Sequence, residues 1–153
     1  MSTQFESTIG FTATLPEGSA TVAESSAGPG TEQFSLPGGT LLSVVRDDEQ
    51  VGNYAQTIEW TQKMAAYYQS EFAGQVVSEG SLPGDGKELY AVAVNFKDSG
   101  SVPRIASVVG MHFPGSAFYG LTLLSIVTDP DAGVDTTLLQ QLVDGITLTT
   151  AAS

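Results

Sequence analysis

The chain has no cysteine, one histidine, one tryptophan and five lysines and arginines in 153 residues. Without cysteine there is no disulfide framework and no thiolate nucleophile, and the redox compartment stays open. A single histidine, His112, cannot supply the usual zinc ligand sets. Against five cations stand 17 Asp and Glu, a formal charge of -12. That balance repels phosphate backbones and anionic lipid surfaces, so neither nucleic-acid binding nor peripheral membrane docking is expected. The acidity reads as a solubility or coding background rather than an acidic binding face. The longest apolar run, around Leu121 to Val127, is too short and too β-branched to span a bilayer, so no direct membrane insertion is expected. No charged start followed by an apolar stretch appears at Met1. As given, the chain reads as cytoplasmic; an exported mature domain restarted at Met would read identically.

What is present is patterning. Residues 1–153 fit one domain, large enough to bury about 68–70% of its extended surface. Three long strand signals, KELYAVAVNFK, PRIASVVGMHF and AFYGLTLLSIV, are separated by DSGS and by Pro114-Gly115-Ser116. This is a β-meander, the spine of an antiparallel sheet. Both faces of its last strand are apolar, so the sheet is expected to be covered on both sides. A three-residue turn sets Phe113 opposite Ala117 and Val109 opposite Leu121, and Phe96 is set opposite Arg104. One face then gathers Leu89, Ala91, Ala93, Ile105, Val109, Met111, Phe113 and Leu121, and the other Tyr90, Val92, Val94 and Phe96. The small Ala91 and Ala93 suggest that a helix approaches closely on the first face.

The rest of the chain frames this meander. Ile9 to Leu15 alternates as a strand with one buried face, and a short SATVAES strand follows Pro16-Glu17-Gly18. Glu32 to Leu36 is expected to pair with Thr40 to Val45 across Pro37-Gly38-Gly39. Asn53 to Phe72 is the strong helix signal: Asn53 with Gln56 reads as a capping box, and Tyr54, Ile58, Thr61, Ala65, Tyr68 and Phe72 recur at helical spacing. Gly74 is read as its C′ residue, and Gln75 to Leu82 as a lead into the meander. A helix from Thr136 to about Asp144, N-capped by Asp135, buries Leu138, Leu139 and Leu142 and stops at Gly145 before a final edge strand, Ile146 to Leu148.

Few residues offer chemistry. The register sets His112 across from Glu88 on the face that holds Phe118; a partly exposed cross-strand ion pair is the plainer reading, an acid–base pair the sharper one. Asp129, Asp131 and Asp135 have the wrong glycine position for a calcium loop, and Gln140 stands where a bidentate Glu belongs. Asp47-Asp48-Glu49 reads as a solvated loop, and no helix signal follows Gly28-Pro29-Gly30 to make a phosphate cradle. No catalytic residue, cofactor or metal site is expected. Trp60, Met64 and Tyr67 share a shoulder of the long helix. Edge-of-core packing explains them most simply, and they are the candidate partner-binding residues. A second candidate is a pocket for a small hydrophobic ligand between helix and sheet, lined by Tyr68, Phe72, Met111 and Phe113.

The order of elements resembles the PsbP-like superfamily of α/β/α sandwiches. The opening GFTATLPEG, the strand TLLSVVRDD, one long helix, the long meander and a closing helix running into GITLT carry the resemblance. That superfamily includes photosystem II extrinsic proteins, bacterial lipoproteins of the LpqN and DcrB type, a Ran-binding import factor and the Eag chaperones of type VI secretion effectors. The resemblance implies an α+β fold: an antiparallel sheet of about six strands, one long helix and a C-terminal helix. It also implies a non-enzymatic accessory or chaperone-like module that binds another protein, such as a secretion effector or envelope component, with a homodimer as one expected state.

Overall fold

The computed structural model describes residues 2–6, 11–21, 31–36, 40–46, 53–82, 87–97, 100–113, 117–126 and 136–148. In chain order its elements are β1 (Ser2–Glu6), β2 (Phe11–Pro16), β3 (Ala20–Thr21), β4 (Thr31–Leu36), β5 (Thr40–Arg46), α1 (Tyr54–Phe72), β6 (Gln75–Leu82), β7 (Glu88–Lys97), β8 (Pro103–Phe113), β9 (Ala117–Ile126), α2 (Thr136–Gly145) and β10 (Ile146–Leu148). Seven strands form an antiparallel sheet in the order β3-β4-β5-β9-β8-β7-β6, and β1-β2-β10 form a second sheet of three. The fold is α+β, with α1 on one face of the large sheet and the small sheet with α2 on the other.

The meander has the expected register throughout: Phe113 pairs with Ala117, Val109 with Leu121, and Phe96 with Arg104. Ala106 through Phe113 are all buried, as a strand covered on both faces requires. Odd-numbered residues along the middle of β7, β8 and β9 face the main core. Leu89, Val109, Met111, Phe113, Tyr119 and Leu121 meet Phe11, Ala13 and Leu15 of β2 and Leu142, Val143 and Ile146 there.

Even-numbered residues face α1, and here the structure differs from the sequence reading. The helix lies over Val92 and Val94, not over Ala91 and Ala93, because the closest approach is made at glycine. A Cβ at Gly110 would lie 2.4 Å from Thr61 Oγ1 and 2.8 Å from Thr57 Cγ2. The helix is correspondingly small on its buried side, with Thr57, Thr61 and Ala65 at the contact. Each threonine hydroxyl donates to the carbonyl four residues back, Thr57 to Asn53 (3.1 Å) and Thr61 to Thr57 (2.8 Å). Both can therefore be buried without an unmet hydrogen bond.

Helix boundaries follow the sequence closely. Asn53 is the N-cap, its Oδ1 accepting from the Gln56 N–H at 2.8 Å. At the other end the left-handed residue is Ala73, φ 53°, not Gly74. Gly74 is there for space, since a Cβ would lie 2.6 Å from Val94 Cγ1. Its N–H donates to the Tyr68 carbonyl at 3.1 Å.

The stretch read as a lead-in, Gln75–Leu82, is the full edge strand β6. At the far side of the core, Lys87 is buried and its Nζ donates to the carbonyls of Val143 and, at 2.7 Å, Ile146. It meets the carbonyl end of α2, where a cation is favoured. The closing strand β10 sits at the edge of the small sheet, as expected. Asp135 lies outside the described residues, as do the side chains of Leu138 and Leu139.

Candidate functional site

Helical geometry puts Trp60, Met64 and Tyr67 on one side of α1, at i, i+4 and i+7. Trp60 is half-buried, its ring 5.1 Å from that of Phe118. It fills the room above Gly120, where a Cβ would lie 1.9 Å from the indole Cη2. The tryptophan is thus a packing anchor, as the plainer reading had it. Met64 and Tyr67 are different: they are 37% and 53% exposed and, with Val76 and Val77, make up the exposed large hydrophobics among the described residues.

The sheet continues beyond this flank. Trp60 reaches β9, and β5 and β4 lie further out. Register places Thr122 and Leu124 of β9, and Leu41, Ser43 and Val45 of β5, on the same face as Gly120. All five are half-buried. Gln33 of β4 donates to Ser43 Oγ at 3.2 Å across that face. The result is a mixed apolar and polar shelf on the sheet face that Trp60 covers from the edge of α1.

The four residues of the candidate ligand pocket are not brought together. Tyr68 and Phe72 stack at 6.2 Å and pack on Phe96, with centroids at 5.2 and 4.9 Å. Burial, and secondarily the neighbouring Tyr67, push the Tyr68 phenol above its usual range. Met111 and Phe113 lie across the sheet in the main core. The cause is the two-residue period of β8: its odd positions face away from the helix that carries Tyr68 and Phe72.

His112 meets Glu88 as the register requires, Nδ1 to Oε1 at 3.0 Å. The histidine side chain is only 9% exposed and the glutamate 44%, so the pair is partly exposed, through its glutamate. On the other flank of α1, Gln62 donates to Glu79 Oε2 at 2.8 Å, and the Tyr90 hydroxyl donates to the same oxygen. The Gln62 bond first, then the Tyr90 bond, hold the Glu79 carboxyl below its usual range, while that carboxylate pushes the Tyr90 phenol up. Among the described residues no group of three or more His, Cys, Asp and Glu is placed to hold a metal ion, and no helix is long and apolar enough to cross a membrane. Asp129, Asp131, Asp135, Asp47-Asp48-Glu49 and Gly28-Pro29-Gly30 lie outside the described residues.

No family model matches the chain, and no curated protein sequence matches it. Solved structures do. The Ran-binding protein Mog1p of Saccharomyces cerevisiae superposes with a TM-score of 0.68 at 10% identity, over 99% of this chain and 97% of that one. The cyanobacterial PsbP, CyanoP, of Synechocystis sp. PCC 6803 superposes with a TM-score of 0.59 at 16% identity, over 96% and 92%. At these identities the likeness is one of fold: the chain has the PsbP-like fold that its order of elements resembles.

Proposed function

We propose that this chain is a non-enzymatic protein-binding module of the PsbP-like fold that docks through the Met64 and Tyr67 flank of α1 and the adjoining shelf of β9 and β5. The observation that carries the reading is the exposure of Met64 and Tyr67 on the flank of α1 whose Trp60 lies over Gly120, on the sheet face that also holds half-buried Leu41, Val45 and Leu124. A soluble domain seldom leaves such side chains grouped unless something covers them. Trp60, braced on Phe118, supplies the rigid base that docking anchors need. One structural neighbour, Mog1p, is a Ran-binding protein, which supports the protein-binding class for this fold. Within that class the role is accessory or chaperone-like, with a client whose apolar segment the flank shields; the resemblance implies a secreted or envelope client. His112 and Glu88 serve in this reading as a cross-strand pair that fixes the sheet end.

The test is capture of partners from the native host with tagged full-length protein, alongside the double variant Met64→Glu, Tyr67→Glu. A stoichiometric partner is expected with wild type, and a loss of about tenfold or more with the variant, compared at a temperature at which circular dichroism shows both folded. A partner retained equally by the folded variant would contradict the site, and a bait that captures nothing would contradict the class.

A further inference from the structure

We propose that the outer edge of β6 is a second docking site, which takes an extended cationic segment of a partner protein as an added strand. β6 ends the seven-stranded sheet, and among the described residues no strand pairs with its outer side. Sheet edges are ordinarily blunted by shortness, proline, lysine or a covering element. The opposite edge obeys that rule, since β3 is two residues long. β6 is eight residues long, and its sequence QVVSEGSL holds neither proline nor lysine. Gln75 through Glu79 are all exposed, Val76 and Val77 among them. One protective device is present, a bulge between Val76 and Ser78. It leaves Ser78 to Leu82 in regular register with β7, long enough a ladder for a strand to join.

Charge selects the occupant. A second copy of this chain would bring one formal charge of -12 against another. Antiparallel pairing about the middle of the strand would also set Glu79 near its own counterpart, a cross-strand repulsion. Glu79 is the only charge on β6, and its carboxylate is held by Gln62 and Tyr90. The fitting occupant is therefore a strand with Lys or Arg opposite Glu79 and β-branched side chains against Val76 and Val77. Gln62 faces β6 while Trp60 faces β9. The edge and the Met64 flank thus lie on opposite sides of α1, and either proposal can fail without the other.

The experiment uses the full chain and three capped peptides of the length of β6: alternating valine and threonine with a central lysine and arginine ends, the same with a central glutamate and glutamate ends, and the lysine peptide N-methylated at alternate positions. Calorimetric titration at low salt is expected to show the lysine peptide binding about tenfold more tightly than the glutamate peptide, from attraction gained and repulsion avoided. The N-methylated peptide, which cannot complete the ladder, should not bind. Hydrogen exchange should slow in Ser78 to Leu82, and Val77→Lys, at an exposed site, should abolish binding without lowering the melting temperature. Equal affinity for the two charged peptides, no binding at millimolar concentration, or binding untouched by Val77→Lys would overturn the proposal. So would a dimer seen by sedimentation that Val77→Lys disperses, which would assign the edge to a second copy.

Discussion

Glu79 shows how a single exposed carboxylate comes to matter for stability. Its folded pKa is depressed by the hydrogen bonds from Gln62 and Tyr90. The stabilisation is therefore present above the ordinary carboxylate value and is lost as pH falls through the depressed one. Tyr90, raised by the same contact, contributes in the opposite sense at alkaline pH: its share is present below the ordinary phenol value and is lost as pH rises through the raised one. Urea midpoints of wild type between neutral and acid pH should fall more steeply than those of Glu79→Gln; parallel curves would show that the contact contributes nothing to folding. A second residue-scale expectation sits at the end of α1. Ala73 holds φ 53°, a region that penalises a Cβ, so Ala73→Gly should stabilise by about 1 kcal/mol in urea unfolding. The donor pair on the Lys87 ammonium and the left-handed Ala73 had no signal in the sequence. One joins residues far apart in the chain, and the other sits beside a glycine that any reader would choose first.

At the scale of elements, legibility followed the number of solutions that local rules allowed. A three-residue turn gives the meander its Phe113 to Ala117 and Val109 to Leu121 pairs, and setting Phe96 opposite Arg104 gives the Glu88 to His112 pair, as the structure has them. Asn53 left one start for α1. The side of the sheet on which α1 lies was a different matter. Both faces of β9 are apolar, so composition could not choose between them. Gly110 and Gly120 chose instead, by admitting threonine and tryptophan where a Cβ would collide. The pocket reading of Tyr68, Phe72, Met111 and Phe113 failed for the same reason, because it crossed that parity. β6 escaped because its eight residues, exposed at nearly every position, do not alternate as a half-buried strand does. The glycine argument has a matched test. Gly110→Ala must lift α1 off β8 and should cost about 1–3 kcal/mol. Gly80→Ala, with nothing within 4 Å of its would-be Cβ, should change stability by about 0.5 kcal/mol or less. Equal costs for the two would show that close helix approach is not what holds α1 in place.

For the whole molecule, the layers divide the labour. Among the described residues the main core between the large sheet and the β1-β2-β10 layer with α2 carries most of the fully buried side chains, while the closest contact beneath α1 is made by the small residues Thr57, Thr61 and Ala65, flanked by Trp60 on Phe118 and by Tyr68 and Phe72 on Phe96. A helix seated this way keeps its outer flank available, and on this chain the flank carries Met64 and Tyr67. The candidate residues Trp60, Met64 and Tyr67 were legible as a group from helical spacing alone. Their division into one anchor and two exposed contacts was not, because it depends on Gly120 lying under the indole. The measurement that bears most directly on the proposed docking face is hydrogen exchange of the captured complex against the free protein. Slowed exchange is expected in segments 54–72, 40–46 and 117–126. Protection confined to β1, β2 and β10, with α1 exchanging as in the free chain, would contradict it.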